Sequence, residues 1–459
     1  MPSPLPLPSA RRLPRVLRAL AIATPLATAW LVGGSAFAQA PTSAPAPLSL
    51  PGALQLAQQR SLQLPAQDAA ASAARDMGVA AGQRPDPVLK AGLVNLPITG
   101  PDRFSVTRDF MTMRSVGVMQ EFTRADKLQA RAARFDGEAR AAEAGREVAL
   151  AELQRDTATA WLERHALERM RELLQSQRTE AALQIEAADA AYRSGRGAQA
   201  DVFATRSAVA LIDDRQRQTE RQLATATTRL VRWVGEAGRA ALAPPPRVET
   251  THLDAAHLET QLAHHPEIAL LARQEDVARA EADMAQSNQR ADWSVELMVS
   301  QRGPAYSNMA SVSVSIPLQI DAKNRQDREL GARLAQVERL RAQREEATRE
   351  HTAQTLAWLQ EWHSDRERLA HYDGTLLPLA AERTRAALAA YRSGAGSGSG
   401  PLASVLDARR AEIDTRMDRL RLEMEAAALW ARLEYLVPQT QPQPQGSSSP
   451  ERAVAAQKE

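Results

Sequence analysis

Histidine and methionine are the side chains with the widest chemical scope here, because the chain has no cysteine. His264 and His265 are adjacent and so point apart on a helix. His351, His363 and His371 are spaced twelve and eight apart and miss the i, i+4 pairing that a zinc site on one helix requires. That spacing predicts solvated surface histidines. Met111 and Met113 alternate onto one side of an extended segment, where two thioethers suit a soft ion such as Cu(I), although packing is the commoner role for such a pair. They are the only metal candidates. No Gly-rich phosphate loop and no nucleophile with a partnered base emerges, so the sequence predicts neither an enzyme nor a cofactor.

The other distinctive residues sit at turns. Ala-Tyr-Arg-Ser-Gly occurs twice, at Ala191 to Gly195 and at Ala390 to Gly394, each time between two long polar helical patterns. Gly195 and Gly197 in the first copy, and Gly394 and Gly396 in the second, permit the backbone conformations that reverse a helix abruptly. Asp201 to Arg206 follows the first turn, and Ser404 to Arg409 follows the second. A second anchor aligns Val116-Gly117-Val118 and Lys127 with Val312-Ser313-Val314 and Lys323 at a constant offset. Two independent anchors identify an internal duplication.

The turns must be held by long helices. Lys127 to Tyr192 and Asn324 to Tyr391 contain almost no helix breakers, Pro378 being the main exception, and a helix of ~65 residues reaches about 100 Å. Return helices are expected from about Asp201 to Val234 and from about Leu402 to Leu436. In the second, an apolar stripe steps by sevens through Leu406, Ile413, Leu420 and Ala427, flanked by Met417, Met424 and Ala431. This is coiled-coil packing, which buries a seam and leaves most of each helix polar.

Each helix hairpin is preceded by two strand-like stretches, near 88–98 and 115–122 and again near 293–302 and 309–319. Trp293, Val295, Leu297 and Val299 alternate with Ser294, Glu296, Met298 and Ser300, and Val312, Val314, Ile316 and Leu318 with Ser311, Ser313, Ser315 and Pro317. Taken alone, this pattern also fits a half-buried soluble hairpin. An export signal and the attached helices favour a membrane β-barrel, with an apolar outside and a wet lumen. Four strands cannot close a barrel, so several chains must share one.

Export is read from residues 1–38. Arg11, Arg12, Arg15 and Arg18 precede an apolar run too short to span a bilayer, and Ala36-Phe37-Ala38 offers small residues for cleavage. Removing this signal peptide leaves 57 − 4 = 53 basic against 55 acidic side chains, so the basic pI gives no support for a nucleic-acid partner. Residues 39–50 form a linker, 51–250 a first repeat and 251–437 a second. Residues 438–459 form a Gln, Pro and Ser-rich disordered tail.

The duplicated strand and helix hairpins with their Tyr-x-x-Gly turns resemble the outer-membrane factor, or TolC-like, family over about Leu48 to Val437. Leu48 to Leu64 is similar to that family's leucine-rich opening helix, and His265-Pro266-Glu267 to its second-half opening. The resemblance implies a mainly α chain with a membrane β-barrel part, in which three chains build a twelve-stranded barrel continued by a periplasmic α-helical barrel. It further implies a homotrimer that joins a periplasmic adaptor to an inner-membrane pump and passively conducts substrate out of the cell. The turns at Tyr192, Gly195, Gly197, Gly394 and Gly396 then dock the adaptor, while Asp201, Tyr391 and Asp407 occupy positions of the periplasmic gate. Asn95-Leu96-Pro97 and Met111 to Arg114, followed by Val118 to Glu121, are similar to the branch serving heavy-metal pumps of the resistance-nodulation-division type. Two departures stand out: no cysteine is present to carry a lipid anchor, and Ser397 to Gly400 is inserted at the second turn. Drug efflux and type I protein secretion remain open as alternatives, as does a periplasmic coiled-coil adaptor or scaffold.

Overall fold

The computed structural model describes residues 47–251, 253, 265–393 and 400–439. The expected signal peptide, most of the tail, His264, Gly394, Gly396 and most of the Ser397 to Gly400 insertion lie outside the described residues. In chain order, the elements are α1 (Leu50–Arg60), α2 (Gln63–Ala81), β1 (Val88–Val94), β2 (Met113–Phe122), α3 (Ala125–Arg193) and α4 (Gln199–Val234). After a short 3-10 turn come α5 (Pro266–Ser287), β3 (Trp293–Gln301), β4 (Met309–Ser315), α6 (Gln326–His371), α7 (Leu377–Ser393) and α8 (Gly400–Glu434). Strand pair, long helix and return helix therefore occur twice. Among the described residues no helix is long and apolar enough to cross a membrane, a finding that does not bear on strands.

The strands form one antiparallel sheet in the order β1-β2-β3-β4. Four strand boundaries differ from those expected, that of β3 by only one residue, at Gln301. β1 stops at Val94 instead of reaching 98, because Asn95 takes a positive φ of 56° and turns the chain out of the ladder. β4 ends at Ser315, short of 319, two residues before Pro317, which has no N–H to give a ladder. β2 begins two residues early, at Met113. Where sheet and helices meet, the Asp292 carboxylate accepts from Lys127 Nζ at 2.7 Å and from the Arg124 N–H at 3.2 Å. One acid thus ties the start of α3 to the start of β3.

At 69 residues α3 extends roughly 100 Å, and it packs against α2, α4, α5 and α8. The largest buried cluster among the described residues lies partway along it. Trp161 is fully buried there and donates its indole N–H to the Leu48 carbonyl at 3.0 Å. Leu48 is itself held by backbone hydrogen bonds to Ala241 and Ala243. Leu230, Leu433 and Trp430 join the same cluster, so both return helices end in it. Truncating Trp161 to Ala would cost about 3–5 kcal/mol.

The heptad stripe of α8 is buried at Ile413, Leu420 and Ala427, with Met417 and Ala431 beside them, whereas Leu406 and Met424 are only partly covered. Beyond it Leu433 is fully buried. The long second-half helix is interrupted once. Tyr372–Leu376 forms a π turn between α6 and α7. Its cause is Pro378, which cannot donate to the preceding turn and whose ring crowds the carbonyl there, so the helix widens to accommodate it.

Candidate functional site

The sheet has two chemically distinct faces. Register places Leu89, Val118, Leu297 and Val312 in one row across all four strands, with Ala91, Val116, Val299 and Ala310 in the next. This face is apolar and uncovered in the single chain: Leu89 is 72% exposed, Val312 69% and Val314 60%. At its helix end Phe122 stacks on Trp293 with centroids 4.5 Å apart. An amphipathic aromatic at the rim of an apolar band is the pattern of a membrane interface.

The opposite face mixes polar residues with methionines, Met119, Met298 and Met309 among them. Ser115, Gly117, Glu296, Ser300, Ser311 and Ser313 lie on it, and Lys90 of β1 reaches Glu296 of β3 at 2.6 Å. Gly117 lies between them on β2. With no Cβ it lets the lysine cross, and it also lets β3 approach so closely that a Cβ there would stand 2.7 Å from the Leu297 carbonyl oxygen. Burying one face in lipid and wetting the other is what such a sheet can do.

At the first turn Gly195 has φ +74° and open space around it, and the N–H groups of Arg196 and Gly197 both return to the Ala191 carbonyl. That is a Schellman-like end. Tyr192 is exposed beside it. The Asp201 carboxylate accepts the Ala198 N–H at 3.2 Å, half of a capping box at the start of α4. Tyr391 instead packs its ring against Ala188, Val202 and Leu402, with Leu406 alongside. Asp407 is exposed on α8. The three gate candidates therefore cluster near the turns, but among the described residues no hydrogen bond joins Tyr391 to Asp201.

The methionine pair does not keep the expected geometry. A bend interrupts the segment: the Met111 N–H donates to Asp109 Oδ1 at 2.8 Å, and only Met113 lies in β2. The expected alternation requires an extended backbone through both residues, which the Asp109 bend removes.

The histidines also depart from expectation. His363 and His371 are exposed, as their spacing predicts, but His265 is 5% exposed. Its Nδ1 accepts the Glu267 N–H at 3.3 Å, capping α5. Its ring lies 4.6 Å from that of His351 on α6, and His351 Nε2 is 2.6 Å from Glu267 Oε2. Burial first, then repulsion from His351, lowers the His265 pKa to about 4, against an upward pull from Glu267. His265 is accordingly neutral at physiological pH. Spacing along one helix could not reveal a cluster assembled from two.

No protein-family model and no curated protein sequence matches the chain. Solved structures do. The outer-membrane channel OprN superimposes with a TM-score of 0.71 at 17% identity, covering 86% of this chain and 91% of that one. The outer membrane protein VceC from Vibrio cholerae gives 0.69 at 18% identity, covering 84% and 95%. The CmeC outer membrane channel of Campylobacter jejuni gives 0.70 at 10% identity, covering 86% and 87%. At these identities the likeness establishes the fold, and the fold is that of the outer-membrane channels.

Proposed function

We propose that the chain is the outer-membrane exit duct of a tripartite efflux pump in a Gram-negative bacterium. The observation that carries this reading is the four-stranded sheet, apolar and uncovered on one face and more polar on the other, attached to helices far longer than a bilayer is thick. Its outer strands, β1 and β4, present unpaired edges in the single chain, and four strands are too few to close. Three copies pairing β4 to β1 give twelve strands, remove every edge and turn the apolar faces to lipid. The helix hairpins then project into the periplasm, where their turns meet an adaptor. Transport energy comes from an inner-membrane pump of the resistance-nodulation-division type, and the duct conducts passively. The segments around Asn95 and Met111 to Arg114 favour heavy-metal cations as cargo.

Membrane fractionation tests the reading. The mature protein is expected in the outer membrane after carbonate or urea washing, and as a trimer by native mass spectrometry in detergent. A washed-out soluble protein overturns it and returns the periplasmic scaffold. Loss of metal tolerance without loss of drug tolerance on deletion tests the cargo.

A further inference from the structure

We propose that His265, Glu267 and His351 form a binding site for one zinc-class divalent cation per chain, clamping the N-terminus of α5 to α6. One donor atom of each residue lies within 4.8 Å of those of the other two. Tetrahedral zinc, with ligands about 2.0–2.2 Å away, needs them roughly 3.3 Å apart, a closure of at most about 1.5 Å by side-chain rotation. Two imidazoles and one carboxylate are a borderline donor set that suits zinc and is poor for magnesium or calcium. The site therefore takes its metal by chemistry as well as by charge.

Three protein ligands beside a cavity would leave a fourth position for water. The cluster borders a cavity of about 300 Å³ between α3, α5, α6 and the end of α8. The ring of His265 is buried, while Glu267 and His351 are partly exposed and give an ion its way in. Two arginines share the cavity, but Arg155 is paired with Asp156 at 3.2 Å, and the Arg432 guanidinium lies over the Trp358 ring. Glu152 adds a second acid.

Binding has two local costs. The positive end of α5 opposes a cation, which the Glu267 carboxylate offsets. Ligation by either nitrogen of His265 also gives up the cap bond, since the remaining nitrogen then carries the proton; at 3.3 Å that bond is a weak one. The cluster lies among the helices, so the site is independent of the efflux reading.

The test is calorimetric titration of zinc chloride into full-length mature protein, stripped with EDTA and held in detergent. One zinc per chain is expected, with zinc-edge X-ray absorption reporting nitrogen and oxygen ligands and no sulfur, and with no response to magnesium. His351→Ala and Glu267→Gln should each weaken binding at least tenfold, whereas His363→Ala and His371→Ala should leave it unchanged. If His351→Ala loses its helical signal, Glu267→Gln, which keeps side-chain volume, decides. Absence of zinc binding in the folded wild type, or binding that survives in Glu267→Gln, overturns the proposal.

Discussion

The Asp373 carboxylate, in the π turn before α7, receives a two-pronged grip from Arg419 of α8, with Nε at 2.8 Å and Nη2 at 3.0 Å. The fork fixes the register of two antiparallel helices at the point where the backbone is widest. The hydrogen bonds from Arg419 hold Asp373 below the usual carboxylate range, against a smaller opposing effect of burial. Its contribution to stability is therefore present above the unfolded pKa, about 3.9, and lost as pH falls through the lower folded value. Because Asp373 is half exposed, the contribution is less than about 1 kcal/mol. Thermal melts should show Asp373→Asn less stable than wild type at pH 7 and equal to it in strong acid; a gap that persists in acid would assign the effect to packing.

Val314 and Ser313 are neighbours on β4 and face opposite sides of the sheet, Val314 opposite Val295 and Ser313 opposite Glu296. Val314→Arg puts a charge on the apolar face, at a cost of about 2–4 kcal/mol near the bilayer midplane. Ser313→Arg puts the same charge beside a carboxylate on the wet face. Outer-membrane yield should fall sharply for the first and hold for the second. Equal insertion of the two would reverse the facing assignment.

Gly117 and Gly92 make a matched pair on adjoining strands. A Cβ at Gly117 meets the Leu297 carbonyl oxygen at 2.7 Å and the Met298 Cα at 3.1 Å, both backbone atoms that cannot swing aside. A Cβ at Gly92 meets nothing nearer than the Ser115 hydroxyl at 3.9 Å. Gly117→Ala should cost about 1–3 kcal/mol by overpacking, while Gly92→Ala should be nearly neutral. Heat stability of the assembled protein on semi-native gels compares them directly.

Much of this architecture is legible in the sequence because it rests on local periods. Alternation of Val295, Leu297 and Val299 with Ser294, Glu296 and Ser300, broken only by Met298, marks a two-faced strand, and the steps of seven through Ile413 and Leu420 mark a buried seam. What escaped has no local period. The π turn was signalled by Pro378, but a proline alone does not say whether a helix kinks, stops or widens. The His265, Glu267 and His351 cluster depends on how α5 lies along α6, which no spacing within either helix encodes. The bend that separates Met111 from Met113 comes from Asp109 accepting two backbone N–H groups, an Asx-type contact easily overlooked inside a strand-like run.

The first turn offers a separation of folding from docking. Gly195 sits in the left-handed region with no neighbour within 4 Å, so a side chain there meets backbone strain and no steric clash. Gly195→Val should cost about 1–2 kcal/mol at an exposed helix end, too little to prevent assembly of helices this long. Combined with Gly394→Val, it should abolish cross-linking to the periplasmic adaptor while trimer yield stays close to wild type. Undiminished cross-linking in the double variant would remove the turns as the docking surface.

Asp201, Tyr391 and Asp407 carry the gate proposal, and their placement sharpens its test. Asp201 already caps α4 by accepting the Ala198 N–H, so Asp201→Ala removes both a charge and a cap worth about 1 kcal/mol, whereas Asp201→Asn removes the charge and keeps an acceptor. Tyr391→Phe keeps the ring that packs on Val202 and Leu402 and deletes only the hydroxyl. In a trimer each acid becomes a ring of three, whose mutual repulsion and pull on cations matter only where the ring is narrow. In planar bilayers, Tyr391→Phe with Asp201→Ala should raise conductance, and Asp201→Asn should reproduce the part that comes from charge. Asp407→Ala, at an exposed position on α8, should mainly reduce cation preference. Wild-type conductance in the first pair and unchanged selectivity in the last would leave Asp201 a helix cap, Tyr391 a packing ring and Asp407 a solvated charge.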